Sequence, residues 1–247
     1  MGGERAARVW AQIGRRAGDG RVTVADACAA AAAGLGADGA GVSVMVSPTA
    51  RETFHATDRI ARELEEWQLS FGEGPCVDAF NDGGPVLVSD IDVAEFRQRW
   101  PVFTPAARES GARAVFALPL QVGAIRLGVL DLYRAVPGPL RRGELADALA
   151  YADAVGTLLL ETTAEEGDAA WWRDDPTANQ AEVHQATGMI LAQLSVTAEE
   201  AFARLRAYAF RHDRRLGDVA REVVQRRLRF EPDAPLDGRG GHDSDIV

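Results

Sequence analysis

The apolar positions of this chain change period along its length, and those changes divide it. Residues 22–35 are an Ala-rich helical run closed by Gly34 and Gly36, and residues 40–46 alternate with β-branched side chains as a strand does. After the Ser47-Pro48 turn, residues 51–57 predict a second strand. Asp58 then stands where it would cap a helix running through Trp67, and Ser70-Phe71-Gly72-Glu73-Gly74-Pro75 breaks that helix before a short one at 76–81. Residues 86–89 predict a strand, residues 101–110 a helix ended by Gly111, and residues 114–122 and 125–133 a hairpin about Gly123. In its second arm Ile125, Leu127 and Val129 alternate with Arg126, Gly128 and Leu130, which marks one face for core or pocket. A long helix follows from 141 to about 163. Strands punctuated by helices, with a late hairpin, predict an α+β domain on an antiparallel sheet rather than a parallel doubly wound fold.

Beyond an acidic stretch at 164–176 the helical period takes over. Asp175-Pro176 is a suitable start for a first helix, in which Val183, Ala186, Thr187, Ile190, Leu191 and Leu194 share one arc. Gln185 and Met189 project from the other side, and Gly188 sits at the edge of the arc. A mid-helix glycine costs about 1 kcal/mol against alanine, which close approach of another helix or of a nucleic-acid backbone would justify. Thr197-Ala198-Glu199-Glu200 is a capping box opening a second helix, with Ala201, Phe202, Leu205, Tyr208 and Ala209 on its inner face and Phe210 nearly opposite. In a third helix Leu216, Val219, Ala220, Val223, Val224 and Leu228 line one arc. Arg226, Arg227 and Arg229 would answer the macrodipole at its C-terminus, Arg227 by snorkelling past the last turn. The pattern therefore predicts a helical lead at 1–20, an α+β domain at 21–163, a linker at 164–176, a small all-α three-helix domain at 177–230 and an unfolded tail at 231–247, whose Pro-, Gly- and Asp-rich composition cannot form a core. Trp171-Trp172 in the linker is expected to dock on the first domain or on a partner chain, because exposed indole is costly.

Charge sharpens this division. Nine arginines and six carboxylates give residues 179–230 a net charge of +3, and the −10 of the whole chain leaves −13 for the rest. A basic helical unit on an acidic protein suggests contact with a polyanion, although solvated surface arginines would give the same count. The cation-dense connection from Arg211 through Arg214 and Arg215 is the best candidate for phosphate contact, and Phe210 beside it is placed to stack on an unpaired base. The competing expectation for Phe210 is packing against the first domain or a second subunit. A DNA-reading helix-turn-helix is less consistent with the third helix, which opens Leu216-Gly217-Asp218-Val219 instead of with base-contacting polar residues.

Catalytic chemistry finds little support. The four histidines, His55, His184, His212 and His242, form no HExxH and no metal-ligand spacing with Cys28 or Cys76. No metal or cofactor is therefore expected, and both cysteines read as buried hydrophobes, with a redox or ligand-attachment role for Cys76 as the lesser reading. Gly72-Glu73-Gly74-Pro75 lacks the GK[ST] ending of a phosphate loop, and neither GxSxG nor a kinase signature occurs. Asp90 and Asp92 are expected to cap a helix. No run reaches the roughly 18 apolar residues of a membrane span, and residues 1–16 lack a signal-peptide core, so a cytoplasmic protein without membrane contact is expected.

Specific motifs add to this reading. Ser70-Phe71-Gly72-Glu73-Gly74-Pro75-Cys76, Trp100-Pro101, Ala117-Leu118-Pro119-Leu120 and Gly128-Val129-Leu130-Asp131-Leu132-Tyr133 resemble the GAF sensor domain of actinobacterial regulators. Ala186-Thr187-Gly188-Met189-Ile190, then Ala201 and Leu205, then Arg215-Leu216-Gly217-Asp218-Val219-Ala220 resemble the ANTAR domain, an RNA-binding antitermination module. Thr187 departs from that pattern, since many ANTAR sequences carry lysine there. The resemblance implies a non-enzymatic antitermination regulator that binds paired stem-loops in nascent RNA, for which the residue pattern offers Gln185, Thr187, Gly188, Phe210, Arg211, Arg214 and Arg215 as the contacts. It also implies a small-molecule or protein signal at the GAF-like domain. Two stem-loops imply a homodimer, with the helix from Arg141 and the N-terminal helix near Val9, Trp10 and Ile13 as candidate contacts. A DNA-binding regulator with a ligand-sensing domain and a non-catalytic ligand-sensing dimerisation module are the alternatives.

Overall fold

The computed structural model describes residues 2–45, 51–123, 125–166, 178–212 and 214–231. Trp171-Trp172, the Asp175-Pro176 helix start and the tail from residue 232 lie outside them. The first domain is a five-stranded antiparallel sheet of order β2-β1-β5-β4-β3, built from β1 (Gly39–Met45), β2 (Arg51–Ala56), β3 (Val86–Val88), β4 (Ala114–Val122) and β5 (Ile125–Arg134). Helices cover both faces. Against one lie α1 (Gly2–Ala17), α2 (Val24–Leu35) and α7 (Arg142–Glu166), which bury Phe116, Leu118, Leu120, Leu130 and Leu132. Against the other lie α3 (Arg59–Phe71), α4 (Pro75–Asp82), α5 (Ala94–Arg99) and α6 (Phe103–Ser110).

Alternation along the central strands explains the layers, since successive side chains of a strand point to opposite faces. In β5, Leu130 and Leu132 enter the α2–α7 side, while Val129, Asp131 and Tyr133 face α3 and α4. The apolar stripe expected from Ile125 is shorter than its pattern, because Ile125 is exposed at the hairpin end.

Helix starts agree closely with the capping signals. The Asp58 carboxylate accepts from the Ala61 N–H at 2.9 Å, and the Thr197 capping box forms with Glu200. Helix α3 runs four residues further than expected, to Phe71, and Gly72 ends it in the left-handed region. Helix α5 was anticipated only through the caps expected at Asp90 and Asp92, without bounds. Asp90 and Asp92 do not cap it: Asp90 accepts from the Asp92 N–H and from Arg113, while Asp92 pairs with Arg97 and Arg108, and Val93 is the N-cap residue. In α1, Val9 and Ile13 are fully buried against the domain's own core, so they offer nothing to a second chain. Trp10 of α1 and Leu149 and Leu160 of α7 are partly exposed. No helix of the described residues is long and apolar enough to cross a membrane.

The second domain consists of α8 (Ala178–Leu194), α9 (Ala198–Arg211) and α10 (Leu216–Val224), closed around Val183, Ala186, Ile190, Phe202, Leu205 and Val219. The buried face of α8 is rotated from the expected arc, with Met189 partly packed into the core and Leu191 exposed. Helix α10 ends at Val224, before the arginines assigned to its last turn. The chain then folds back, so that the Phe230 N–H donates to Gln193 and its ring packs edge-on against Tyr208.

Candidate nucleic-acid interface

The seven residues proposed for nucleic-acid contact fall into two groups. On α8, Gln185 and Gly188 are exposed, and Thr187 is half-buried with its hydroxyl donating to the Val183 carbonyl at 2.7 Å. Among the described residues no helix approaches Gly188, where an added Cβ would meet open space, so packing within them does not account for this glycine and its backbone lies at their surface.

The other group lies at the end of α9 and the start of α10, facing the first domain. Phe210 is 60 % exposed and lines a groove of about 550 Å³ together with Trp67, Phe71 and Val102 of the first domain and Arg214 and Arg215 of the second. Gln185, Thr187 and Gly188 do not line it. The three arginines differ sharply in what they touch. Arg211 is exposed at the end of α9. Arg214 makes a two-pronged pair with Glu222 at 2.8 and 2.9 Å, which fastens the connection to α10 and holds the Glu222 carboxyl below its usual range. Arg215 reaches across to α3, 3.7 Å from Glu63 and 3.8 Å from Glu66, with its guanidinium over the Trp67 ring.

A fourth arginine completes this junction and was not among the expected residues. Arg206 of α9 donates to the Phe71 carbonyl at 3.1 Å, at the last turn of α3, where backbone carbonyls lack helical partners. Its guanidinium occupies the space over Gly72, so any side chain at that position would collide with it. Burial is the main cause that lowers the Arg206 pKa. A free α3 C-terminus after Phe71-Gly72 was a legible signal, whereas its partner about 135 residues away was not.

The inner face of α3 carries a second polar group. Glu65 and Gln68 lie on the same arc as Ala61 and Leu64, which places polar side chains in a buried stripe. Gln68 is fully buried, accepts from the Cys76 N–H at 2.7 Å and donates to Asp131 at 3.0 Å. Glu65 accepts from the Ser43 hydroxyl at 2.5 Å. Burial pushes the Glu65 and Asp131 carboxyls up, and the Cys76 thiol well up, so Cys76 is no exposed, activated nucleophile. Cys28 is buried also, with its thiol pushed up to about 12. The Glu73 carboxylate caps α6 from outside, accepting from the Val102 and Phe103 N–H groups, and the Trp100 indole donates to Asp78. The motif residues thus tie α4 to α6 around the end of α3.

Known proteins place both units. A GAF domain model matches residues 19–159 and an ANTAR domain model residues 177–224. Among curated proteins none matches. Solved structures similar to the chain include the GAF domain of a phosphoenolpyruvate-protein phosphotransferase from Coxiella burnetii, 14% identical, covering 66% of this chain and 96% of that one with a TM-score of 0.49. Another is the corresponding domain from Acinetobacter, 11% identical, covering 67% and 96% with a TM-score of 0.47. A domain of a sensor histidine kinase protein from Sinorhizobium meliloti is 22% identical, covering 56% and 90% with a TM-score of 0.45. Both matched models describe regulatory domain types, one of the ligand-sensing kind and one of the RNA-binding antitermination kind. The chain belongs to the GAF domain family and carries an ANTAR domain behind it, as a GAF and ANTAR domain-containing protein.

Proposed function

We propose that this protein is a cytoplasmic transcription antitermination regulator whose ANTAR domain binds paired stem-loops in nascent RNA, and whose GAF domain controls how much of the RNA-binding surface is free. Gln185, Thr187 and Gly188 offer a backbone-level contact on α8, while Phe210, Arg211, Arg214 and Arg215 offer stacking and phosphate contacts at the other end of the domain. The observation that carries the control reading is the pairing of Arg215 with Glu63 and Glu66 of α3. Two carboxylates occupy the guanidinium that would otherwise meet phosphate. A signal that moves α3 would shift the balance between this docked arrangement and one with Arg215 and Phe210 released. Two stem-loops call for two copies of the domain, and Trp10, Leu149 and Leu160 are the exposed apolar residues on α1 and α7 for such a contact.

The test is a gel-shift comparison of the full chain with a dual stem-loop RNA and with duplex DNA of equal length, across a salt series. Preference for the RNA is expected, with affinity falling as salt rises. Replacing Arg211, Arg214 and Arg215 with glutamine should weaken binding and flatten that salt dependence. Preference for the duplex would sink the RNA reading, and unchanged affinity in the triple variant would remove these arginines from the site.

A further inference from the structure

Beneath α3 two carboxyls meet that the sequence spacing gave no reason to associate: Glu65 of α3 and Asp131 of β5, both buried and within 4.8 Å of each other, oxygen to oxygen, beside Cys76 of α4. Gly41 of β1 makes room for the approach, since a side chain there would collide with Glu65 Oε1. Each carboxyl has one oxygen served by a donor. The Ser43 hydroxyl donates to Glu65 Oε2 and the Gln68 amide to Asp131 Oδ2, while Gln68 is itself anchored by the Cys76 N–H. The two remaining oxygens, Glu65 Oε1 and Asp131 Oδ1, receive no donor from any other group among the described residues, and the hydrogen bond between the carboxyls falls to them. An ionised carboxylate only accepts, so a hydrogen bond between two carboxyls requires a proton on one of them.

Charge leads to the same count by a separate route. Arg51 of β2 is 5 % exposed and lies against this group, with Nη1 at 3.9 Å from Cys76 Sγ. Two ionised carboxylates beside one guanidinium would leave a net negative charge sealed from water, whereas one retained proton brings the group to zero. The remaining neighbours supply no counter-charge. The Cys76 thiol of α4 and the Cys28 thiol of α2 are held neutral by burial, β1 offers only the Ser43 hydroxyl, and β4 sets Ala117 opposite Asp131. Arg206 of α9 comes near enough to interact with Arg51, but its guanidinium donates to the Phe71 carbonyl.

We propose that Glu65 and Asp131 hold a single proton in common, and that this proton is a pH-sensitive clasp between α3 and the sheet. The clasp acts on more than the GAF core, because the outer face and the end of α3 carry the contacts to Arg215 and Arg206 of the ANTAR domain. Loss of the proton places a net negative charge under α3 and loosens the helix on which those contacts rest. Burial, and then the neighbouring Asp131 carboxylate, hold the Glu65 carboxyl well above its usual 4.5, so the native chain keeps a proton that the unfolded chain releases. This contribution to stability is fully present below about pH 4.5 and is lost as pH rises through the raised value. The clasp is independent of RNA binding and stands or falls separately from it.

The experiment is infrared spectroscopy of the full chain in the carbonyl region at about pH 7, where ordinary Asp and Glu side chains are ionised. A protonated-carboxyl band is expected, shifted in heavy water, and both Asp131→Asn and Glu65→Gln should lose it. Each variant puts an amide N–H in place of the shared proton, so each should fold while losing the pH dependence of the unmodified chain. In urea unfolding between about pH 6 and 9, the unfolding constant of the unmodified chain should rise about tenfold per pH unit relative to Asp131→Asn, until the raised value is passed, as release of one proton on unfolding demands. Emission of Trp67, which lies under the Arg215 guanidinium, should change over the same interval in the unmodified chain alone. Absence of the band from the unmodified chain would overturn the clasp, as would its survival in either variant or a stability profile parallel to that of Asp131→Asn. The band and its loss on raising pH are read on the unmodified chain, so a variant that fails to fold leaves this test intact.

Discussion

Helix α3 meets charged partners on two sides, and the two sides behave as different materials. On its inner face Glu65 and Gln68 are sealed from water among Ser43, Cys76, Arg51 and Asp131. On its outer face Glu63, Glu66 and Trp67 receive an arginine from another domain, at separations of 3.7 and 3.8 Å and with solvent at hand. Similar residue types are present on both. Burial makes the inner set part of the fold, because a stranded polar group there costs its full desolvation. The outer set is only half-buried, with Arg215 its most open member, so its pairs are weaker and more easily exchanged than the sealed inner contacts.

The strongest way to break the comparison is to attack the inner face. Gln68→Ala leaves the Cys76 N–H and an Asp131 oxygen without partners, and should cost about 2–5 kcal/mol of stability in urea unfolding followed by circular dichroism. A cost below about 0.5 kcal/mol would show that water satisfies these groups and that the two faces are alike.

Gly72→Ala probes the boundary between them. Its φ of 67° penalises any side chain, and the added methyl would overlap the Arg206 guanidinium. A loss of about 1–2 kcal/mol is expected from the backbone, together with release of α9, read as a change in Trp67 fluorescence. An unchanged emission spectrum would count against the docked Arg206.

Smaller again is the effect on the outer face. Glu63→Gln with Glu66→Gln removes the charges that engage Arg215, and should raise affinity for dual stem-loop RNA by about 2–10-fold at low salt, the gain vanishing as salt screens the pairs. Unchanged or weaker RNA binding would mean that α3 does not compete with the RNA.

The smallest effect concerns Arg214 and Glu222, a pair internal to the ANTAR domain. The Glu222 carboxyl is held below its usual value of 4.5, chiefly by hydrogen bonds from Arg214. Its contribution is therefore present above that value and is lost as pH falls through the lowered one. Glu222→Gln should accordingly lower the urea midpoint at neutral pH and leave it unchanged in acid, where the pair is already broken. Equal losses at both would assign the interaction to packing instead of charge.

Local signals were readable in the chain wherever a short-range contact decides the structure. Asp58, the Thr197–Glu200 box, Gly111 and the Gly123 hairpin each act within a few residues of themselves, and each marks an observed element boundary within one or two residues. The bounds of helix α5 escaped because Phe96 is the one side chain of residues 94–99 packed against the core, and that partly, so they carry no periodic stripe. Val9 and Ile13 showed an apolar face but not its partner, which proved to be α2 and α7 of the same chain. The Arg214-Arg215 dipeptide looked uniform in sequence, yet one residue fastens its own domain and the other reaches α3. That difference depends on tertiary direction, which no spacing along the chain encodes. The Glu65, Cys76 and Asp131 cluster is the extreme case, drawn from three elements 66 residues apart end to end, with only two polar positions on the apolar stripe of α3 as a local sign.

The junction at Arg206 and Arg215 also has a consequence for how strong it has to be. Both partners sit on one polypeptide, so α9 samples the α3 surface at an effective concentration on the order of millimolar, as short tethers generally provide. A contact worth only about 4 kcal/mol, which would be half-saturated near 1 mM between separate molecules, is then enough to hold the junction closed about half the time. A junction of that strength would sit near its midpoint, where a bias of about 1.4 kcal/mol would alter an open-to-closed ratio tenfold. Tightening α3 against α9 with further apolar area would therefore make the protein more stable and less responsive.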